Sequence, residues 1–146
     1  MVEIKSKGYF EENSSKEEIE VIKKRVDYYN KDIILMREMP VPSSFVQKLY
    51  FEKLNEIIEP DQKFYLLIDL TEVILKIPDA EHRDILKNTF EYYKSQITHA
   101  CVVVGTNMFM RLAAKIIMRN KVKSVWIHSN WKMALDKMSE IKKVEL

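Results

Sequence analysis

From residue 25 onward the apolar pattern of this chain switches regularly between a period of two and a period of 3.6, and no other feature restricts the fold as strongly. Short apolar runs of strand length are followed by helical stripes, in the order β, β, α, β, α, β, α, β, α. Asp32 to Glu38 reads as a strand, joined through a turn at Asn30 and Lys31 to an earlier strand ending near Tyr28, which makes a hairpin. After Pro40 and Pro42, Ser43 or Ser44 caps a helix running to about Glu59, with Val46, Leu49, Tyr50, Leu54, Ile57 and Ile58 inward and Pro60 as its stop. Phe64 to Leu70 is an apolar run of the kind buried on both faces. Pro78 and Asp79 open a helix to Lys94 that turns Ile85, Leu86, Phe90 and Tyr93 inward. A strand from His99 to Val104 ends at Gly105, and a helix then buries Phe109, Leu112, Ala113 and Ile116. The strand Lys123 to His128 follows, and a last helix buries Trp131, Ala134, Leu135, Met138 and Ile141.

Strand-then-helix units in succession imply right-handed crossovers onto a mostly parallel sheet, with the opening hairpin as an antiparallel edge. The expected fold is α/β, with about five strands and about four helices. Whether the helices cover one face or both stays open. Residues 1–24 read as an amino-terminal arm, an edge strand or a short helix. Ser15 and Glu18 offer a capping box, while Ile19 and Val21 alternate as in a strand, and the reading leans to strand. Residues 25–146 read as a single α/β domain.

Several function classes fall away on composition. Gly8 and Gly105 are the only glycines, too few for a phosphate loop or a dinucleotide fingerprint, so no cofactor is expected. A lone cysteine, Cys101, excludes an intramolecular disulfide and a zinc site built on paired cysteines. It lies in the run His-Ala-Cys-Val-Val-Val, where a cysteine behaves as a small hydrophobe with a raised pKa. His82, His99 and His128 show no metal-ligand spacing, so no metal is expected. Met1 to Phe10 carries Glu3, Lys5 and Lys7 and lacks a secretory apolar run, and the location expected is the cytoplasm. The apolar stretches Phe64 to Ile68 and Ala100 to Val104 fall far short of the roughly 20 residues that span a bilayer, so no transmembrane segment is expected. Residues 101–146 hold nine Lys or Arg against three Asp or Glu, a net +6 that leaves −4 for the first hundred. That asymmetry suits an acidic partner or simply a solvated face. The basic residues lack the aromatic interleaving of a single-strand groove, so nucleic acid is not the partner expected.

In open α/β sheets ligands bind beyond the carboxyl ends of the strands, which directs attention to Asp69 and Thr71, to Gly105, Thr106 and Asn107, and to His128, Ser129 and Asn130. Hydroxyls and amides beside helix starts can hold an anion; the competing reading is that Asn107 and Ser129 cap their helices. Asp69 and Asp79 are a carboxylate pair across the strand-to-helix loop that an acid-base mechanism would draw on, and both also have ordinary structural roles. Met108 and Met110 flank Phe109 at a helix start, a surface that would adapt to a partner or an acyl chain unless the sheet buries it.

The run Leu66 to Val73, Leu-Leu-Ile-Asp-Leu-Thr-Glu-Val, resembles the strand and turn that open the signature region of STAS domains, named for sulfate transporters and anti-sigma-factor antagonists. Ile77 to Arg83, Val102 to Asn107 and Ser129 to Leu135 resemble the SpoIIAA-like branch of that superfamily, and the likeness covers roughly residues 25 to 143. It implies a STAS-like domain that is a non-catalytic regulatory or binding module. Antagonists of the family are switched by phosphorylation in an Asp-Ser-Ser-Gly motif. Counted without gaps from Asp69, that motif falls on Ile77, Pro78, Asp79 and Ala80, so both serines are missing and Asp79 sets a permanent negative charge at the second. Thr71 and Thr106 remain as hydroxyls in range. Asp69, Thr71, Pro78, Asp79, Thr106, Asn107, Met108, Met110 and Ser129 are therefore the candidate partner- or ligand-binding residues.

The expectation is a module that works through contact with a protein partner. The alternative is a carrier of a lipid or small anion, with a pocket between sheet and helices near Asp79 and Asn107; an enzyme of unknown chemistry comes third. Homodimerisation through an exposed sheet edge or the amino-terminal arm is compatible with the sequence.

Overall fold

The computed structural model of the chain describes residues 14–74, 80–105, 115 and 125–145. Helix α1 (Lys16–Lys23) leads into strands β1 (Val26–Tyr28) and β2 (Ile33–Arg37). Then follow α2 (Ser44–Ile57), β3 (Phe64–Asp69), α3 (Ala80–Tyr92), β4 (Ile97–Val103), β5 (Val125–His128) and a helix we number α4 (Trp131–Glu145). The strands form one five-stranded sheet in the order β1-β2-β3-β4-β5. β1 is antiparallel to β2 and every other pair is parallel, so the fold is α/β with a mostly parallel sheet and four described helices.

Ser14 to Lys24, where alternation favours a strand, instead contains the helix α1. Ser15 Oγ accepts from the Glu18 amide at 3.1 Å while Glu18 Oε1 accepts from the Ser15 amide at 3.0 Å, the reciprocal capping box. The residues it buries are Glu18 and Ile22, one turn apart, and Val21 faces outward. Alternation of Ile19 and Val21 was therefore the wrong period, because only the helical one brings Ile22 into the core.

The hairpin turn is fixed by Asn30, whose Oδ1 accepts from the Asp32 and Ile33 amides at 3.2 and 3.1 Å. Ser43 caps α2 through the Val46 amide at 3.2 Å. α2 stops at Ile57, short of Pro60, because Ile58 turns to extended backbone at φ −95° and ψ 122°. β3 is buried at all six positions, as an apolar run between two layers must be.

Strand parity sorts the core into two layers. Ile34, Met36, Leu66, Ile68, Ala100 and Val102 face the side where α1, α2 and α3 pack through Ile22, Val46, Tyr50, Leu54 and Phe90. Ile33, Tyr65, Leu67, Cys101 and Val103 face the opposite side, covered by Ala134, Met138 and Ile141 of α4. Helices thus lie on both faces. Trp131 and Leu135 are only partly buried, as are Ile57 and Leu86 in the other layer. Each fully buried aliphatic side chain contributes roughly 1.5–3 kcal/mol from area removed from water. The expected helix over Phe109 to Ile116 lies outside the described residues.

Candidate functional site

Parallel strands end together, and here the ladder continues past each end. The Glu38 amide donates to the Asp69 carbonyl at 2.9 Å, Leu70 to Val103 at 2.8 Å and Val104 to His128 at 2.9 Å. The carboxyl edge is therefore a level shelf, with Glu38 after β2, Asp69 at the end of β3 and His128 at the end of β5, each under a tenth exposed.

Asp69 organises one side. Its Oδ1 accepts from the Thr71 amide at 2.8 Å and from the Thr71 hydroxyl at 2.6 Å, closing the loop after β3. Its Oδ2 accepts from Trp131 Nε1 at 2.8 Å, which pins the first residue of α4 to the end of β3. Three donors from two elements hold this carboxylate in one orientation. The Trp131 ring also meets Tyr29 at 5.9 Å, tying the hairpin to the same corner.

Glu38 organises the other side, facing α2 and α3 because it is one residue out of phase with Arg37. Its Oε1 accepts from the Met39 amide at 3.0 Å, its Oε2 accepts from Gln47 Nε2, and His82 Nε2 lies 3.7 Å from that same oxygen. The Tyr50 hydroxyl donates to the Arg37 carbonyl at 2.6 Å. Burial, with the Glu38 carboxylate adding to it, pushes the Tyr50 phenol well above its ordinary pKa. Arg25 clips the ensemble together: Nε donates to the Arg37 carbonyl at 3.1 Å, Nη2 to the Glu38 carbonyl at 3.0 Å, and the guanidinium pairs with Glu72 in the loop after β3.

Of the residues expected from sequence, Asp69 and Thr71 are brought together as one unit. Ser129 is exposed after β5, two strands away, and the cap of α4 is its neighbour: Asn130 Oδ1 accepts from the Met133 amide at 2.9 Å. Asn130 takes that role because it directly precedes the helix, which places Met133 at its third position. Gly105 adopts φ +64°, the left-handed conformation that a turn leaving β4 requires. Pro78, Asp79, Thr106, Asn107, Met108 and Met110 lie outside the described residues, as does the pocket expected near Asp79 and Asn107.

Cys101 is fully buried, and burial pushes its thiol up to about 11, in keeping with a small hydrophobe. Among the described residues no cluster of His, Cys, Asp or Glu is arranged to hold a metal ion, and no described helix is long and apolar enough to cross a membrane. Three lysines of α4 are paired within the chain, Lys132 with Asp136 at 2.9 Å, Lys137 with Glu140 at 3.5 Å and Lys142 with Asp32 at 2.9 Å. Two of them do meet aromatic rings, Lys137 over Trp126 at 4.9 Å and Lys142 over Tyr65 at 5.6 Å. Both rings belong to the sheet beneath, and the contacts help seat α4 on it.

Glu38, Gln47, His82, Arg25 and the indole of Trp131 are the polar members that sequence reasoning missed. Glu38 carries a signal in principle, since parallel pairing of β2 with β3 makes it a carboxyl-edge residue, but the hairpin pattern of β1 and β2 alone does not reveal that pairing. Gln47 carried a signal as well, a polar residue between Val46 and Tyr50 on the buried side of α2.

The class that fold and shelf define is an α/β protein of strand-helix units with a polar carboxyl edge. Comparison of the chain with protein-family models, with curated proteins and with solved structures returned no match.

Proposed function

We propose that the chain is a non-catalytic, STAS-like regulatory or binding module of the SpoIIAA-like kind, acting in the cytoplasm through contact between its carboxyl edge and a protein partner. The observation that carries this reading is the state of Asp69. The acidic group best placed for chemistry is committed to three hydrogen bonds that shape the Thr71 loop and anchor α4. Glu38 is likewise held by Gln47 and the Met39 amide. Such an edge presents a fixed relief, which suits recognition by shape and hydrogen bonding more than turnover. The sequence likeness around Leu66 to Val73 and the in-order sheet opened by an antiparallel strand add support.

Affinity capture from the source cell tests the reading. A partner retained by the native chain, lost with Thr71→Arg or Ser129→Arg and kept with Ser95→Arg at the opposite end of the sheet, is the expected result. Specific turnover in an unbiased substrate screen, abolished by Asp69→Asn, overturns it.

A further inference from the structure

Away from the shelf, α2 and α3 run side by side over the sheet and leave an open groove of about 470 Å³ between them. Phe51 and Ile85 contribute its apolar lining, Lys48 and Glu52 stand on the α2 rim, and Tyr92 closes the α3 side. Tyr92 is 64% exposed, the most exposed large apolar side chain among the described residues. Its ring is nonetheless held in place, edge-on to Phe51 at 5.2 Å and to Tyr93 at 4.9 Å. A pre-positioned aromatic beside an apolar recess is the arrangement that gives an interface its anchor, because little freedom is lost when it docks.

The charges on the rim say what docks. Lys48 precedes Glu52 by one helical turn, the order that pairs less well within a helix. Each instead makes a longer contact elsewhere, Lys48 with Glu81 at 3.9 Å and Glu52 with Lys23 at 3.6 Å. Pairs as exposed as Lys48 and Glu81 are worth little and are readily exchanged. A lysine and a glutamate one turn apart are self-complementary under a two-fold axis, since an antiparallel copy sets lysine against glutamate twice. On α3 Lys87 and Glu91 repeat the order, so the match holds whichever helices meet. We propose that the α2–α3 face docks a second copy of this chain, with the Tyr92 ring of each copy seated in the groove of the other and Lys48 opposite the second copy's Glu52. This surface is distinct from the carboxyl edge, and it leaves that edge open to a different partner.

Sedimentation equilibrium on the full chain tests the proposal, with circular dichroism confirming that each variant is folded. The native chain is expected to pass from 17.4 kDa toward twice that mass as its concentration rises. Tyr92→Ala and Glu52→Lys each weaken association roughly tenfold or more, as loss of an anchor or a like-charge contact does. The double swap Lys48→Glu with Glu52→Lys restores it, because two-fold pairing survives exchange of the two charges. A chain that stays at 17.4 kDa up to on the order of 1 mM overturns the proposal, as does a dimer untouched by Tyr92→Ala and Glu52→Lys.

Discussion

Replacing Asp69 with alanine removes an acceptor that serves three donors at once, and the loss can be worked through from their surroundings. The Thr71 amide and hydroxyl lie on an exposed residue, so water replaces the carboxylate there and each costs about 0.5 kcal/mol. Trp131 Nε1 is half-buried against the sheet, and its charge-assisted bond of 2.8 Å is worth roughly 2 kcal/mol. Together Asp69→Ala is expected to destabilise the fold by about 3 kcal/mol, or on the order of 9 °C in Tm for a chain of this size. Urea unfolding followed by far-UV circular dichroism measures it, since the fluorescence of Trp131 would respond to the lost bond itself. Trp131→Phe completes a double-mutant cycle, and the two residues should couple by about 1–2 kcal/mol. A loss under about 1 kcal/mol for Asp69→Ala, or additive effects of the two substitutions, would refute the view that this carboxylate pins α4 to the sheet.

Three further outcomes follow from local geometry. Ser15→Ala opens the capping box and should cost about 1 kcal/mol, read in the same urea titration. Gly105→Ala meets no neighbour within 4 Å among the described residues, so the left-handed backbone sets its cost at about 1 kcal/mol, and Gly105→Asn should cost less. The Cys101 thiol is held up to about 11 by burial, above its value in the unfolded chain. The native state keeps its proton longer, so this stabilisation is full below about pH 8.5 and is lost as pH rises through 11. Stability of the native chain should accordingly drop between pH 8.5 and 10.5 by more than that of Cys101→Ala; equal drops would show that the thiol is not the cause.

How much of this was legible in the sequence depends on how many turns or strands a segment had in which to declare its period. β3 and β4, long apolar runs, and α2, with four turns and a serine cap, were placed to within two residues of their ends. α1 has only eight residues, and two turns cannot separate 3.6 from two when Ile19 and Val21 happen to alternate. Its capping box was the better witness, because a reciprocal pair of side-chain bonds forms only at a helix start. The covering of both sheet faces was beyond reach of periodicity, which says that a strand is buried and not by what. For the site, Asp69 and Thr71 stood out because they follow an apolar strand. Glu38 and Gln47 did not, because their partnership joins the end of one strand to the side of a helix nine residues on, and only the parallel crossover brings them together. Trp131 read as a core residue from its spacing, and its indole N–H finds the partner that a half-buried tryptophan needs in a carboxylate 62 residues away.

Native mass spectrometry of the freshly purified chain tests most directly whether this is a contact module and not a carrier. The expected result is the mass of the 17.4 kDa polypeptide and of its double, with nothing else retained at low activation energy. A discrete additional mass of lipid or anion size, released only at higher energy, would contradict it.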